Sequence, residues 1–215
     1  MSSDRERVML RCERALWSRG HRHVAGLDEA GRGPLAGPVV AAAVVVEEGF
    51  FIPEVNDSKQ LTARLRDSLY VEIMAGARAI GIGIVDHLTI DRVNILQATF
   101  KAMRLAVNAL GVRPDHLLID GNRFLDGDDA EGLHLPFTTI VRGDAKSFSI
   151  AAASIVAKVT RDRLMIDYES QFPGYGFAQH KGYGTKQHRE AIARLGFSPI
   201  HRRSFNVKIE QEIPL

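Results

Sequence analysis

The spacing of apolar positions changes several times along the chain, and each change marks an element. Ser3 followed by Glu6 forms a capping-box pattern, so a helix is predicted from Ser3 to about Ser18. Val24–Asp28 reads as a short buried strand, broken by a glycine-rich turn at Gly31–Gly37. The β-branched and alanine run Val39–Val46 reads as a second strand. A loop around Asn56–Leu61 leads into a helix over Thr62–Gly76. Ala79–Val85 alternates isoleucine and valine with glycine, which predicts a third strand that another backbone approaches closely. Val93, Leu96, Phe100, Met103, Val107 and Leu110 recur at helical spacing, predicting one helix over Ile90–Leu110 that Gly111 stops. Leu117–Asp120 is a short strand ending in a carboxylate, Gly121–Leu135 a polar loop, and Phe137–Val141 a fifth strand. A long helix over Phe148–Phe172 ends at Pro173–Gly174, and another spans Thr185–Leu195.

This order predicts an α/β fold with a mixed five-stranded sheet flanked by helices. Short connections suit antiparallel pairing of the first three strands. The helical crossover after the third allows a parallel fourth strand beside the first. With no repeat and no linker in 215 residues, a single unit is expected. Its core covers about 22–172, and a helical, basic extension covers about 173–215.

Charge changes the picture more than composition does. Residues 1–140 hold 16 lysines and arginines against 19 acids, whereas residues 141–208 hold 12 against 5. An acidic part beside a basic part suits a metal-using enzyme that acts on a polyanion, although uneven surface statistics produce the same asymmetry. No apolar run reaches the roughly 20 residues of a membrane span, and Met1–Arg11 lacks the apolar stretch of a signal peptide, so a cytoplasmic protein is expected. The one cysteine, Cys12, excludes an internal disulfide and a multi-cysteine zinc site, and reads as a small buried hydrophobe.

Asp28 and Glu29 stand where the first strand is predicted to break, and Asp120 where the fourth does. In open α/β sheets ligands collect outside the carboxyl ends of strands, so neighbouring strands would bring these acids together. Divalent cations are the usual reason to tolerate such crowding, and oxygen-only ligands favour Mg²⁺ or Mn²⁺ over zinc. A strand-end acid taken alone more often caps a turn. Gly31 and Gly33 around Arg32 free backbone N–H groups to face a phosphate or sugar. The segment is not a dinucleotide fingerprint, since its third glycine comes one place late and Pro34 interrupts the helix start. Neither a phosphate-binding loop nor a serine-hydrolase elbow occurs.

The stretch Asp28-Glu29-Ala30-Gly31-Arg32-Gly33-Pro34-Leu35-Ala36-Gly37-Pro38 resembles ribonuclease HII, a branch of the ribonuclease H fold. So do Asn56-Asp57-Ser58-Lys59, Ile119-Asp120-Gly121, Gly143-Asp144-Ala145-Lys146-Ser147, Ala151 through Arg163, and His180-Lys181-Gly182-Tyr183-Gly184-Thr185, in that order. The resemblance spans about Val24 to Phe205 and implies an endoribonuclease that cuts the RNA strand of RNA–DNA hybrids. It further implies cleavage 5′ of single ribonucleotides in duplex DNA, giving 5′-phosphate and 3′-hydroxyl ends. By resemblance Asp28, Glu29, Asp120 and Asp144 hold two divalent ions about 3.5–4 Å apart for an in-line displacement. Gly31, Arg32 and Gly33 would read the 2′-hydroxyl that separates RNA from DNA. Tyr183 would pack on the following deoxyribose, although a tyrosine alone is more often a half-buried amphipathic side chain.

Lys59 beside Ser58, and Lys146 beside Ser147, are candidate phosphate contacts, as are Arg202 and Arg203, though each also suits a solvated surface. Asp162 is a rival fourth ligand, set late in a helix where Arg161 or Arg163 is its expected partner. Asp126, Asp128 and Asp129 suit a solvated loop. His21 and His23 look incidental, and Met165 and Ile166 read as core. Ribonuclease HIII, the related type, usually carries lysine in the Gly-x-Gly turn and a long N-terminal extension, so Arg32 and the short leader favour type HII. A non-catalytic hybrid-binding relative would be expected to lose an acid, and all four are present. Gln211-Glu212-Ile213-Pro214-Leu215 is similar to short peptides that dock on sliding clamps, with a frayed terminus as the competing reading. A monomer is expected.

Overall fold

The computed structural model describes residues 2–124 and 133–206. Asp126, Asp128, Asp129 and the tail Gln211–Leu215 lie outside the described residues. Five strands, β1 (Val24–Ala30), β2 (Val39–Val45), β3 (Ala79–Val85), β4 (His116–Asp120) and β5 (Phe137–Ile140), form one sheet in the order β3-β2-β1-β4-β5. The pairs β1/β2 and β2/β3 are antiparallel, while β1/β4 and β4/β5 are parallel, as the connections predicted.

Helices α1 (Ser2–Met9), α2 (Arg11–Trp17), α3 (Ala63–Gly76), α4 (His87–Val93), α5 (Ile95–Asn108), α6 (Phe148–Gln171), α7 (Phe177–His180) and α8 (Lys186–Leu195) surround the sheet. The strand period of two sorts the core into two layers. Ala42 and Val44 of β2 join Phe148, Ala152 and Val156 of α6 and Leu69 and Ile73 of α3 on one face. Leu27, Ala41, Ala43 and Ile119 join Phe100, Met103 and Val107 of α5 on the other. All seven residues of β2 are buried, and its three central alanines let helices press on both faces. Gly81 and Gly83 lie against the backbone of α5 at Ala106 and Ala102, the close approach predicted for that strand. Gly26 on β1 does the same for α6, since a Cβ there would run into the backbone of Ser149.

Several boundaries differ from expectation. The predicted Ser3–Ser18 helix is two helices that part at Leu10 (φ −90°, ψ 9°). The predicted Ile90–Leu110 helix is also two. Asn94 adopts the left-handed region (φ 69°), and its side-chain oxygen accepts from the amides of Leu96 at 3.0 Å and Gln97 at 3.1 Å. Asparagine tolerates that conformation and caps well, so it restarts the helix where apolar spacing alone showed no interruption. Strand β1 runs two residues past its predicted end, because Asp28, Glu29 and Ala30 still pair with Ala42, Ala41 and Val40 of β2. The short α7 and the 3-10 turns Ser58–Gln60 and Gly143–Ala145 carry no apolar period and were not predicted. Met165 is buried as expected, but Ile166 is 48% exposed and does not belong to the core.

The C-terminal part packs on α6 through Tyr175, Phe177, Ala191 and Ile200, which gather around Met165 and Ala36. Among the described residues no helix is long and apolar enough to cross a membrane.

Candidate active site

The acidic site grows out of sheet register. Leu27 of β1 pairs with Ile119 of β4, so Asp28 and Asp120, each one residue further on, share a face. That face looks toward the N-terminus of α6. The 3-10 turn Gly143–Ala145 just before α6 supplies Asp144, and the amide of Gly143 donates to Asp120 Oδ1 at 2.6 Å. Oxygens of Asp28, Asp120 and Asp144 all lie within 4.8 Å of one another. Asp28 and Asp144 are buried, at 4% and 6% exposure, while Asp120 is half-buried.

Glu29 stands beside this group rather than in it. Its side chain is 13% exposed and pairs with Arg32 at 3.2 Å. Burial raises its pKa, against the pull of Arg32 and with a further push from Asp120. Asp28 is raised well above the usual carboxylate range, first by burial and then by the charges of Glu29 and Asp120; the Glu29 amide and the Ser154 side chain soften the effect. Asp144 is raised by burial, Asp120 and Asp57, and Lys59 opposes the shift.

Asp28, Asp120 and Asp144 are thus a crowded set of carboxylates, two buried and one half-buried. The lysine nearest Asp144, Lys59, lies 3.7 Å away and has a side chain that is 76% exposed. All of the donors are hard oxygens, so the residues fit a divalent cation such as Mg²⁺ or Mn²⁺, and among the described residues no thiol or imidazole joins them to suit zinc.

Two buried arginines shape the neighbouring turn. Arg202 donates to the carbonyls of Gly31 at 2.6 Å, Arg32 at 3.0 Å, Gly37 at 2.9 Å and Pro38 at 3.1 Å. Arg161 of α6 donates to Pro38 at 2.9 Å, Ala36 at 3.1 Å and Lys181 at 3.0 Å. Burial pulls Arg202 down to about 9 and Arg161 down to about 10, still above neutrality, so both stay cationic among their carbonyls. The carbonyls of Gly31 and Arg32 thus turn inward to Arg202. Leu35 donates to the carbonyl of Gly182 at 2.8 Å, which joins the turn to the segment carrying Tyr183. A Cβ on Gly33 would sit 3.8 Å from Cε1 of Tyr183, so the tyrosine ring, 44% exposed, borders the turn.

Several expectations need correction. Ser147 is fully buried and caps α6 while donating to Glu13 at 2.6 Å, so its hydroxyl cannot meet a phosphate. Ser58 is buried against Ser154 at 2.8 Å. Lys146 is exposed and folds back to the carbonyl of Val141 at 2.7 Å. Arg202 is interior rather than a surface grip, whereas Arg203 uses its amide on Asp91 at 2.9 Å. Asp162 pairs with Lys158 at 2.6 Å, not with a neighbouring arginine, and stands outside the carboxylate group. Cys12 is only partly buried. Ser154 beside Asp28, the capping role of Glu13 and the inward arginines were missed. Of these, Ser154 and Arg161 left a trace as members of the stretch Ala151 through Arg163, and Arg202 stood out only as a candidate surface contact.

Comparison with known proteins agrees with this geometry. The family pattern of ribonuclease HII matches residues 25–208. A ribonuclease HII of Geobacter metallireducens is 54% identical over 209 residues, covering 94% of this chain and 95% of that protein. One from Acholeplasma laidlawii is 51% identical over 193 residues, covering 90% and 92%. The crystal structure of ribonuclease H2 from Pyrococcus horikoshii is 29% identical, with a TM-score of 0.70 over 86% of this chain and 94% of that one. An Archaeoglobus fulgidus RNase HII, solved with PCNA, shares the fold at 24% identity and a TM-score of 0.71 over 88% of this chain and 98% of that one. A matched pattern, close full-length relatives and a shared fold give one result: the chain belongs to the ribonuclease HII family, hydrolases that cut the RNA strand of RNA–DNA hybrids.

Proposed function

We propose that this chain also cuts 5′ of a single ribonucleotide embedded in duplex DNA, with Asp28, Glu29, Asp120 and Asp144 holding two divalent ions, Mg²⁺ or Mn²⁺. The observation that carries the reading is the meeting of carboxylates from β1, β4 and the Gly143–Ala145 turn, with oxygens within 4.8 Å, beside the Gly31–Gly33 turn. Bound divalent ions would supply positive charge to an in-line displacement at phosphorus, easing deprotonation of the attacking water and charge build-up on the leaving 3′-oxygen.

The chain's own residues do the rest. Lys59, exposed at the rim, offers its ammonium to a substrate phosphate, and Lys146 can swing from Val141 to do the same. The backbone amides of Gly31, Arg32 and Gly33 can donate to a 2′-hydroxyl, a group that only a ribonucleotide presents. The Tyr183 ring packs on the next sugar, where a second 2′-hydroxyl would crowd it.

The experiment is cleavage of duplex DNA carrying one ribonucleotide, with the cut mapped in Mg²⁺, in Mn²⁺ and in excess chelator. A single cut on the 5′ side of the ribonucleotide, leaving 5′-phosphate and 3′-hydroxyl ends and vanishing with chelator, is the expected result. Cleavage that persists in chelator, or that ignores the ribonucleotide, overturns the proposal.

A further inference from the structure

Behind Tyr183 lie three imidazoles, from α7, α8 and the segment after α8, that no part of the reaction uses. His188 and His201 are 0% and 1% exposed. His180 and His188 stack with centroids 4.3 Å apart, and Phe177 meets both edge-on.

Their hydrogen bonds allow one arrangement of protons. The amide of Ser198 can only donate, and it reaches Nδ1 of His201 at 2.8 Å. That nitrogen must accept, so a neutral His201 carries its proton on Nε2. His201 Nε2 faces Nε2 of His188 at 3.0 Å, which therefore accepts and leaves the His188 proton on Nδ1. Nδ1 of His188 donates to the carbonyl of Tyr183 at 3.0 Å. On the other side the amide of Gly182 donates to Nδ1 of His180 at 3.2 Å, while Nε2 of His180 donates to the carbonyl of Tyr175 at 2.7 Å. Burial depresses both His188 and His201 to about 4, consistent with neutral rings.

We infer that His188 is a positioning residue for substrate choice: with its proton set by His201 and Ser198, it holds the Tyr183 carbonyl so that the exposed ring meets the substrate sugar in one orientation. The inference rests on the reading of Tyr183 as the sugar contact. A phenylalanine could fill the same volume, but it could neither accept from His201 nor donate to Tyr183. With its carbonyl held by His188 and by the amide of Thr185, and with the Gly182 carbonyl bound by Leu35, the tyrosine backbone is fixed while its ring stays in solvent. A ring already oriented loses less freedom when it docks.

Two substitutions separate the two ends of His188. In His188→Asn the amide nitrogen stands near the place of Nδ1 and keeps the bond to Tyr183. In His188→Gln the longer side chain reaches toward His201 and loses Tyr183. The quantity read is kcat/KM on single-ribonucleotide duplex divided by kcat/KM on uniform RNA–DNA hybrid, at a temperature where both variants are folded. His188→Gln is expected to lower this ratio about five- to tenfold, the loss of one buried hydrogen bond, and His188→Asn by less than about twofold. Equal ratios for both variants and the wild type overturn the inference, since a merely structural histidine would alter stability and not the ratio.

Tyr183→Ala in the same assay keeps the two readings apart. If it leaves the ratio unchanged, the sugar-contact reading falls and takes this one with it. If it lowers the ratio while His188→Gln does not, only the present inference fails. Ring ¹⁵N spectra of the wild-type protein provide a second test that needs no variant. They should show His188 protonated on Nδ1, and His180 and His201 on Nε2. Finding His188 protonated on Nε2 rules the arrangement out.

Discussion

The guanidinium of Arg202 donates to the carbonyl of Gly31 at 2.6 Å, although 171 positions separate them in the chain. Four carbonyls of the glycine-rich segment converge on this one side chain, which is fully buried. Lysine keeps the charge but offers three donors on a point, not five in a planar fork, so part of that set must go unsatisfied. Arg202→Lys should therefore lower stability by roughly 2–3 kcal/mol and the melting temperature by about 5–10 °C. It should also weaken cleavage of all substrates, because the Gly31–Gly33 turn loses its inner support. Thermal melting together with kcat/KM checks both effects, and a variant that melts with the wild type refutes the structural role.

Asp120→Asn keeps an oxygen that can accept from the Gly143 amide but removes one of three crowded charges. Cleavage should fall by at least about a thousandfold, since lost charge stabilisation at such a site costs several kcal/mol. Hybrid binding should change little. Without metal, stability should hold or rise, because burial and neighbouring charge both disfavour the ionised Asp28. The measurements are turnover in Mg²⁺ and melting in chelator, and near-native turnover would remove Asp120 from the assignment.

Replacing Tyr183 tests stacking against hydroxyl chemistry. The ring borders Gly33 and is 44% exposed, which leaves it accessible for the proposed sugar contact. Tyr183→Phe retains the ring and loses a hydroxyl contact on the order of 1 kcal/mol. Tyr183→Ala loses both, so it should be the more damaging of the two, with the wider gap on DNA containing one ribonucleotide. Steady-state kinetics on the two substrates provides the comparison, and identical behaviour of Ala and Phe would shift all of the discrimination to the Gly31–Gly33 turn.

Acid should weaken the fold through the histidines behind that ring. Burial depresses His188 and His201 to about 4, whereas an unfolded imidazole titrates near 6.5. As pH falls from about 6.5 to about 4, the unfolded chain takes up protons that the folded one refuses, so stability declines across that window and levels off below it. The two contributions are not additive, because the rings share a hydrogen bond and titrate as a pair. Asp28, Glu29 and Asp144 act in the opposite direction, since their raised values make acid favourable to the metal-free fold. The histidine contribution is isolated by comparing urea stability with His201→Gln, whose loss of stability between pH 6.5 and 4 should be shallower.

How much the sequence alone determined follows from the range of the forces involved. Strand period, helix period and turn residues act over a few positions, so the five strands, the mixed pairing and the long α6 were legible before any coordinates. The glycine spacing in β3 even announced the close approach of α5. Asp28, Glu29 and Asp120 were legible too, as acids at or near strand ends, while Asp144 depended on family resemblance because its 3-10 turn has no apolar period. Only the tertiary structure decided where each polar side chain goes. Arg202 and Ser147 look like surface contacts in a string of residues, yet both are buried, one beneath the glycine-rich turn and the other against Glu13. His188 and His201 show no ligand spacing, but packing removes them from water and gives every ring nitrogen a partner. Desolvation and long-range hydrogen bonding depend on what the rest of the chain brings to a position, and no local pattern encodes that.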